Sequence, residues 1–258
     1  MATYYLDTGH GLPVVLIHGV GLDHGMWHAQ ADFLKEHYRV VRYDMFGHGQ
    51  SCKPAAPYTL DLFEQQLRAL LDEIDINRAH LVGFSMGGLV AGAFASRYPE
   101  RVRSLVLAST VAERSPEQKR AVLDRVTEVE KSGPHSTIQA ALKRWFTSQY
   151  ARANPEVLAS VGQCLENNDP EAYLAAYRVF ATADEGVGKR FSRVVCPALI
   201  ITGERDLGAT PEMARRMHQI IENSKCVIVP YVKHILPVEG AEAFNRILVE
   251  FLARIRVD

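Results

Sequence analysis

Short apolar, β-branched runs alternate with amphipathic stretches along most of this chain. Pro13–His18, Arg39–Tyr43, His80–Phe84, Ser104–Ala108, Ala198–Thr202 and Cys226–Val229 have the length and residue types of strands. Leu60–Ile74, Gly87–Tyr98 and Ala241–Ile255 carry apolar residues at helical spacing. Strands that alternate with helices predict a parallel sheet covered on both faces. The runs Val14-Val15-Leu16-Ile17 and Ala198-Leu199-Ile200-Ile201 are apolar at every position, as strands buried on both sides must be.

From Val111 to about Val195 the alternation stops, and consecutive helices are predicted instead. Proline opens several of them behind a polar residue: Ser115-Pro116, with Gln118 completing a capping-box pattern, then Asn154-Pro155 and Asp169-Pro170. Thr210-Pro211 repeats the device after the strands resume. The expected organisation is an α/β core from residues 1–110 and 196–258 with a helical insertion at 111–195. An insertion between strands whose ends carry candidate catalytic groups is placed to roof the site.

Bulk properties narrow the function more than the fold. At 258 residues one core plus an insertion suffices. With 29 basic against 30 acidic side chains, no charge excess points to nucleic acid or an anionic membrane as partner. The longest apolar stretches are strand-sized, short of the ~20 residues of a membrane span. Cys52, Cys164, Cys196 and Cys226 lie far apart with no CxxC pair, and no signal-like segment precedes the first strand, so a reduced, cytoplasmic protein is expected.

The chemistry centres on Gly83-Phe84-Ser85-Met86-Gly87, where an apolar strand runs into a Gly-x-Ser-x-Gly turn and then a small-residue helix. Gly83 and Gly87 allow a turn too tight for side chains, and Gly88 lets the helix pack closely, so the Ser85 hydroxyl projects from the sheet's carboxyl edge. A serine hydroxyl is a weak nucleophile at neutral pH and needs a base, itself oriented by an acid, in the chain order Ser, Asp/Glu, His. Leu199–Asp206 is a strand running into a polar turn, which makes Asp206 the candidate acid and Glu204 its reserve. Of the ten histidines, His234 alone follows both Ser85 and the acid and sits at a strand's carboxyl end. The backbone N–H groups of Met86 and Val20 are placed to form an oxyanion hole. His18 reads as structural beneath the Val20 loop. Trp27 reads as packing, and the histidines at 24, 28 and 48 lack metal-site spacing, so no metal ligand is assigned. Dinucleotide and phosphate-loop fingerprints are absent from the sequence.

Together these residues resemble the α/β-hydrolase superfamily along essentially the whole chain. The resemblance rests on His18-Gly19-Val20-Gly21, Tyr43-Asp44 with Gly47-His48-Gly49 and Ser51, Gly83 to Gly88, Tyr98-Pro99-Glu100-Arg101-Val102, Gly203-Glu204-Arg205-Asp206 and His234. Within it the chain is most similar to 3-oxoadipate enol-lactonases, through Arg144-Trp145-Phe146-Thr147, Ala153-Asn154-Pro155-Glu156, Asp169-Pro170-Glu171 and Glu242-Ala243-Phe244-Asn245. The resemblance implies an α/β-hydrolase fold, a mostly parallel sheet flanked by helices, with the insertion as a cap over the active site. It also implies cofactor-free cleavage of a small ester or lactone, apolar to moderately polar, through an acyl-enzyme. Phe46 departs from the enol-lactonase pattern, which has arginine there, and Tyr231-Val232-Lys233-His234 replaces Gly-x-Gly-His. Lys233 reads as a solvated loop lysine, with a substrate carboxylate as its other candidate partner. Arg144 and Trp145 either line the pocket or anchor cap helices. The same triad serves amide and carbon–carbon hydrolysis, hydroxynitrile cleavage and peracid formation on this fold, and a small-molecule receptor is the non-enzymatic alternative. Haloalkane and epoxide hydrolysis are disfavoured, because they use a carboxylate where Ser85 stands.

Overall fold

The structure, a computed structural model, describes residues 1–255. Seven strands form one sheet: β1 (Tyr5–Thr8), β2 (Leu12–Ile17), β3 (Tyr38–Tyr43), β4 (Ala79–Phe84), β5 (Val102–Ala108), β6 (Ala198–Gly203) and β7 (Ser224–Val229). Their order is β1-β3-β2-β4-β5-β6-β7; β1 runs antiparallel to β3 and every other neighbour is parallel. All six predicted strands are present. The hydrophobic pattern does not predict β1, a four-residue edge strand whose Asp7 pairs across to Arg39 on β3. Four residues with only half of them apolar are too short for a periodic signal.

Successive residues of the central strands enter opposite cores. Val15, Ile17, Leu81, Leu105 and Leu107 pack with the helices Leu60–Glu73 and Met86–Arg97 on one face. Val14, Leu16, Val82, Val106 and Leu199 pack on the other, with the helices His28–Leu34 and Ala241–Leu252. This explains why these strands are apolar without alternation. It also places the carboxyl ends of β2, β4, β6 and β7 along one edge of the sheet, where ligands of open α/β sheets bind.

Between β5 and β6 the chain forms helices at Pro116–Ser132, Ile138–Trp145, Ser148–Ala153, Pro155–Glu166, Pro170–Thr182 and Val187–Phe191. The Ser115 hydroxyl accepts the Gln118 N–H and Gln118 Oε1 accepts the Ser115 N–H, a complete capping box. Asp169 and Thr210 cap through the N–H groups of Ala172 and Met213. Asn154 departs from the expectation: its side chain donates back to the Tyr150 carbonyl at 3.1 Å, because it directly follows the helix Ser148–Ala153 and closes that end instead. Among the described residues no helix is long and apolar enough to cross a membrane.

A buried ion pair ties the two ends of this helical segment together. Arg114 Nη1 lies 2.6 Å from Asp184 Oδ1, and the Arg114 N–H donates to the other carboxylate oxygen at 2.9 Å. Both side chains are almost fully buried. Removing one partner strands the other charge, so Arg114→Met is expected to lower unfolding stability by about 3–5 kcal/mol in urea denaturation.

Candidate active site

Ser85 occupies the turn between β4 and the helix Met86–Arg97 with φ 52° and ψ −112°, a conformation that residues with side chains avoid. The surroundings enforce it. The Ser85 N–H donates to the Ala108 carbonyl on β5 at 2.9 Å, while Gly83 and Gly87 meet across the turn. A Cβ on Gly87 would overlap the Ile17 and His18 carbonyl oxygens, so the backbones cross at a spacing only glycine permits. The predicted turn is therefore present and its hydroxyl lies at the carboxyl edge of the sheet.

Two side chains from other strand ends complete a hydrogen-bonded chain. His234, in the loop after β7, has Nε2 3.2 Å from Ser85 Oγ and Nδ1 2.7 Å from Asp206 Oδ2. Asp206, in the turn after β6, is itself fixed: Oδ1 accepts the N–H groups of Gly208 at 2.8 Å and Ala209 at 2.9 Å. All three residues are buried, with 3% of Ser85, 2% of Asp206 and 7% of His234 exposed. A carboxylate at Nδ1 holds the proton there and leaves Nε2 free to accept one from the serine. Glu204 is not part of this chain; it is exposed and accepts the Tyr231 N–H at 3.0 Å.

The remaining predicted positions separate into lining and support. Val20 lies beside Ser85 in the loop after β2, and Met86 opens the helix, where first-turn amides have no intrahelical acceptor. His18 is fully buried beneath that loop, with Nδ1 2.7 Å from the Gly19 carbonyl while Nε2 accepts the Met45 N–H, as a structural histidine should. Trp27 packs against Phe244. His24 Nδ1 pairs with the buried Asp44 at 2.8 Å, which raises the His24 pKa through that hydrogen bond. Phe46 sits in the core rather than the cavity, so its departure from the lactonase pattern does not touch the site.

Ser85 and His234 line a small cavity between the sheet edge and the helical segment. Arg144 and Trp145 line it, and the Trp145 ring centroid is 6.1 Å from that of His234. Two further arginines were not anticipated. Arg114 reaches the cavity already neutralised by Asp184, and Arg125 donates through Nε to the Tyr177 hydroxyl at 3.0 Å. Arg125 had a legible signal, since it falls within the buried stripe Val122, Val126, Val129 of its helix. Neither Arg125 nor Arg144 meets an acidic side chain among the described residues. Burial, and then repulsion from Arg125, lower the Arg144 pKa. Lys233 is neither freely solvated nor in the cavity; its ammonium donates to the Lys143 carbonyl at 2.8 Å.

Comparison with known proteins agrees with this architecture. Residues 13–241 match the family defined by the alpha/beta hydrolase fold. The chain is 32% identical to (E)-2-((N-methylformamido)methylene)succinate hydrolase of Acinetobacter baylyi, across 96% of this chain and 93% of that protein. It is 30% identical to 3-oxoadipate enol-lactonase 2 of the same organism, across 93% and 88% of the two chains. The crystal structure of the enol-lactonase from Burkholderia xenovorans superposes with a TM-score of 0.92 at 33% identity, covering 98% of this chain and 96% of that one.

Proposed function

The chain belongs to the α/β-hydrolase family, and we propose that within it the protein is a serine hydrolase cleaving a small ester or lactone that carries a carboxylate. The observation that carries this reading is the hydrogen-bonded chain Ser85–His234–Asp206 opening onto a cavity whose Arg125 and Arg144 lack acidic partners among the described residues. In the proposed reaction His234 Nε2 takes the hydroxyl proton as Ser85 Oγ attacks the carbonyl carbon, and Asp206 stabilises the resulting imidazolium. The N–H groups of Met86 and Val20 receive the oxyanion. His234 then protonates the leaving alkoxide, and a water activated by the same imidazole hydrolyses the acyl-enzyme. Substrate, water and these side chains supply every proton and electron pair, so the mechanism calls for no cofactor.

The carboxylate refines the expectation of an apolar to moderately polar substrate. Guanidinium groups half-buried without a counter-ion are costly, and a substrate carboxylate supplies the missing charge in a geometry arginine binds well. The names of the two relatives, a substituted succinate hydrolase and a 3-oxoadipate enol-lactonase, support the same substrate class. The helices between β5 and β6 act in this reading as the cap that carries these arginines. A small-molecule substrate and a reducing, cytoplasmic setting for the four free cysteines complete the proposal.

Ser85→Ala is expected to reduce kcat on 4-nitrophenyl esters by about 10^6-fold with the fold intact by circular dichroism. Asp206→Asn should cost about 10^4-fold and Glu204→Gln far less; the reverse ranking would move the acid to Glu204. Arg144→Gln should raise KM for a carboxylate-bearing ester or enol-lactone by about 10- to 100-fold while leaving a neutral acetate ester nearly unchanged. Equal loss on the two substrates would remove the carboxylate from the proposal.

A further inference from the structure

His234 sits in a loop, yet its imidazole must hold position against both Ser85 and Asp206. Three hydrogen bonds tie the residues around it to one short stretch at the end of the helix Ile138–Trp145, and a fourth braces the loop internally. Lys233 Nζ donates to the Lys143 carbonyl at 2.8 Å, and the Ile235 N–H donates to the Trp145 carbonyl at 3.3 Å. Glu239 bridges the two segments: Oε1 accepts the Thr147 N–H at 2.8 Å, and Oε2 accepts the Lys233 N–H at 2.9 Å. The residues immediately before and after His234 are therefore both fastened to the helix that carries Arg144 and Trp145.

The side-chain bonds have physical reasons to form. The Lys143 carbonyl belongs to the last helical turn, where carbonyls lack intrahelical partners and a cation is favoured by the helix dipole. Glu239 is half-buried, and a carboxylate accepting two backbone N–H groups forms stronger bonds than a neutral acceptor would. Neither side chain lines the cavity, so neither touches substrate.

We propose that Lys233 and Glu239 are positioning residues that join the His234 loop to the helix bearing Arg144 and Trp145, so that base and substrate-binding helix hold a single geometry. The identity of His234 as base rests on the function proposed above; the linkage itself does not. Loosening it lets the imidazole drift from Ser85, and a displacement of about 1 Å can cost ~100-fold in rate. The loss falls on kcat, because Arg144 and the cavity wall remain.

The test compares Lys233→Met, Lys233→Arg and Glu239→Gln with the wild type in two readouts. One is kcat and KM on 4-nitrophenyl acetate, a neutral ester that makes no demand on Arg144. The other is the far-downfield 1H resonance of the His234 Nδ1 proton bonded to Asp206, which needs no substrate. Lys233→Met and Glu239→Gln should each lower kcat by about tenfold or more, with KM within about twofold, and broaden or abolish the downfield resonance. Lys233→Arg, which can still donate to the Lys143 carbonyl, should keep both near wild type. Unchanged kcat with a sharp resonance in both disruptive variants would overturn the proposal, as would a Lys233→Arg variant as impaired as Lys233→Met. If Glu239→Gln does not fold, the two Lys233 variants decide. Absence of ester turnover in the wild type would count against the serine-hydrolase reading alone, leaving the resonance to judge the linkage.

Discussion

The crossing of backbones at Ser85 constrains everything around it. Gly87 presses against the Ile17 and His18 carbonyl oxygens, the Ser85 N–H is held by Ala108 on β5, and the serine is forced to positive φ. A strained residue persists only where its neighbours over-determine it. Here three adjacent strands, β2, β4 and β5, do so from within a core whose residues are almost wholly buried. The same parallel arrangement sends the ends of β6 and β7 to the same edge, so Asp206 and His234 meet Ser85 although 149 positions separate the serine from the histidine. The rigidity of the sheet is thus the source of the hydroxyl's placement, and the loops need only supply the partners.

Above that edge the balance of charge changes. Arg114 is matched by Asp184, whereas Arg125 and Arg144 face the cavity without an acid among the described residues. In the proposed function a substrate carboxylate supplies that counter-charge, which gives the helical segment a part in substrate choice beside the stability its buried ion pair contributes. The chain's near-neutral total charge conceals this local excess completely.

What the sequence revealed follows from the range of each interaction. Strands of β2, β4 and β6 were legible because burial on both faces makes every residue apolar, and the ends of those strands located Ser85, Asp206 and the Val20 loop. His234 was legible from its order after the acid together with its place behind the strand run Cys226–Val229. The edge strand β1 was not, since four residues, none of them buried, leave no pattern. Asn154 misled because a polar residue before proline can close the helix behind it as readily as it opens the one ahead. Lys233 and Glu239 were beyond reach, because their partners are backbone groups about 90 residues away whose identity no side chain records. Arg125 lay between these extremes: its place in an apolar stripe was visible, but what it faced depended on how its helix packs against the helix Pro170–Thr182.

The central claim is that Ser85 is the activated nucleophile. It is tested most directly by treating the native protein with a serine-directed fluorophosphonate and mapping the adduct by peptide mass spectrometry. The account predicts one adduct per chain, on the peptide containing Ser85, and none in a His234→Ala variant. Labelling at another serine, or equal labelling of Ser85 without His234, would contradict it.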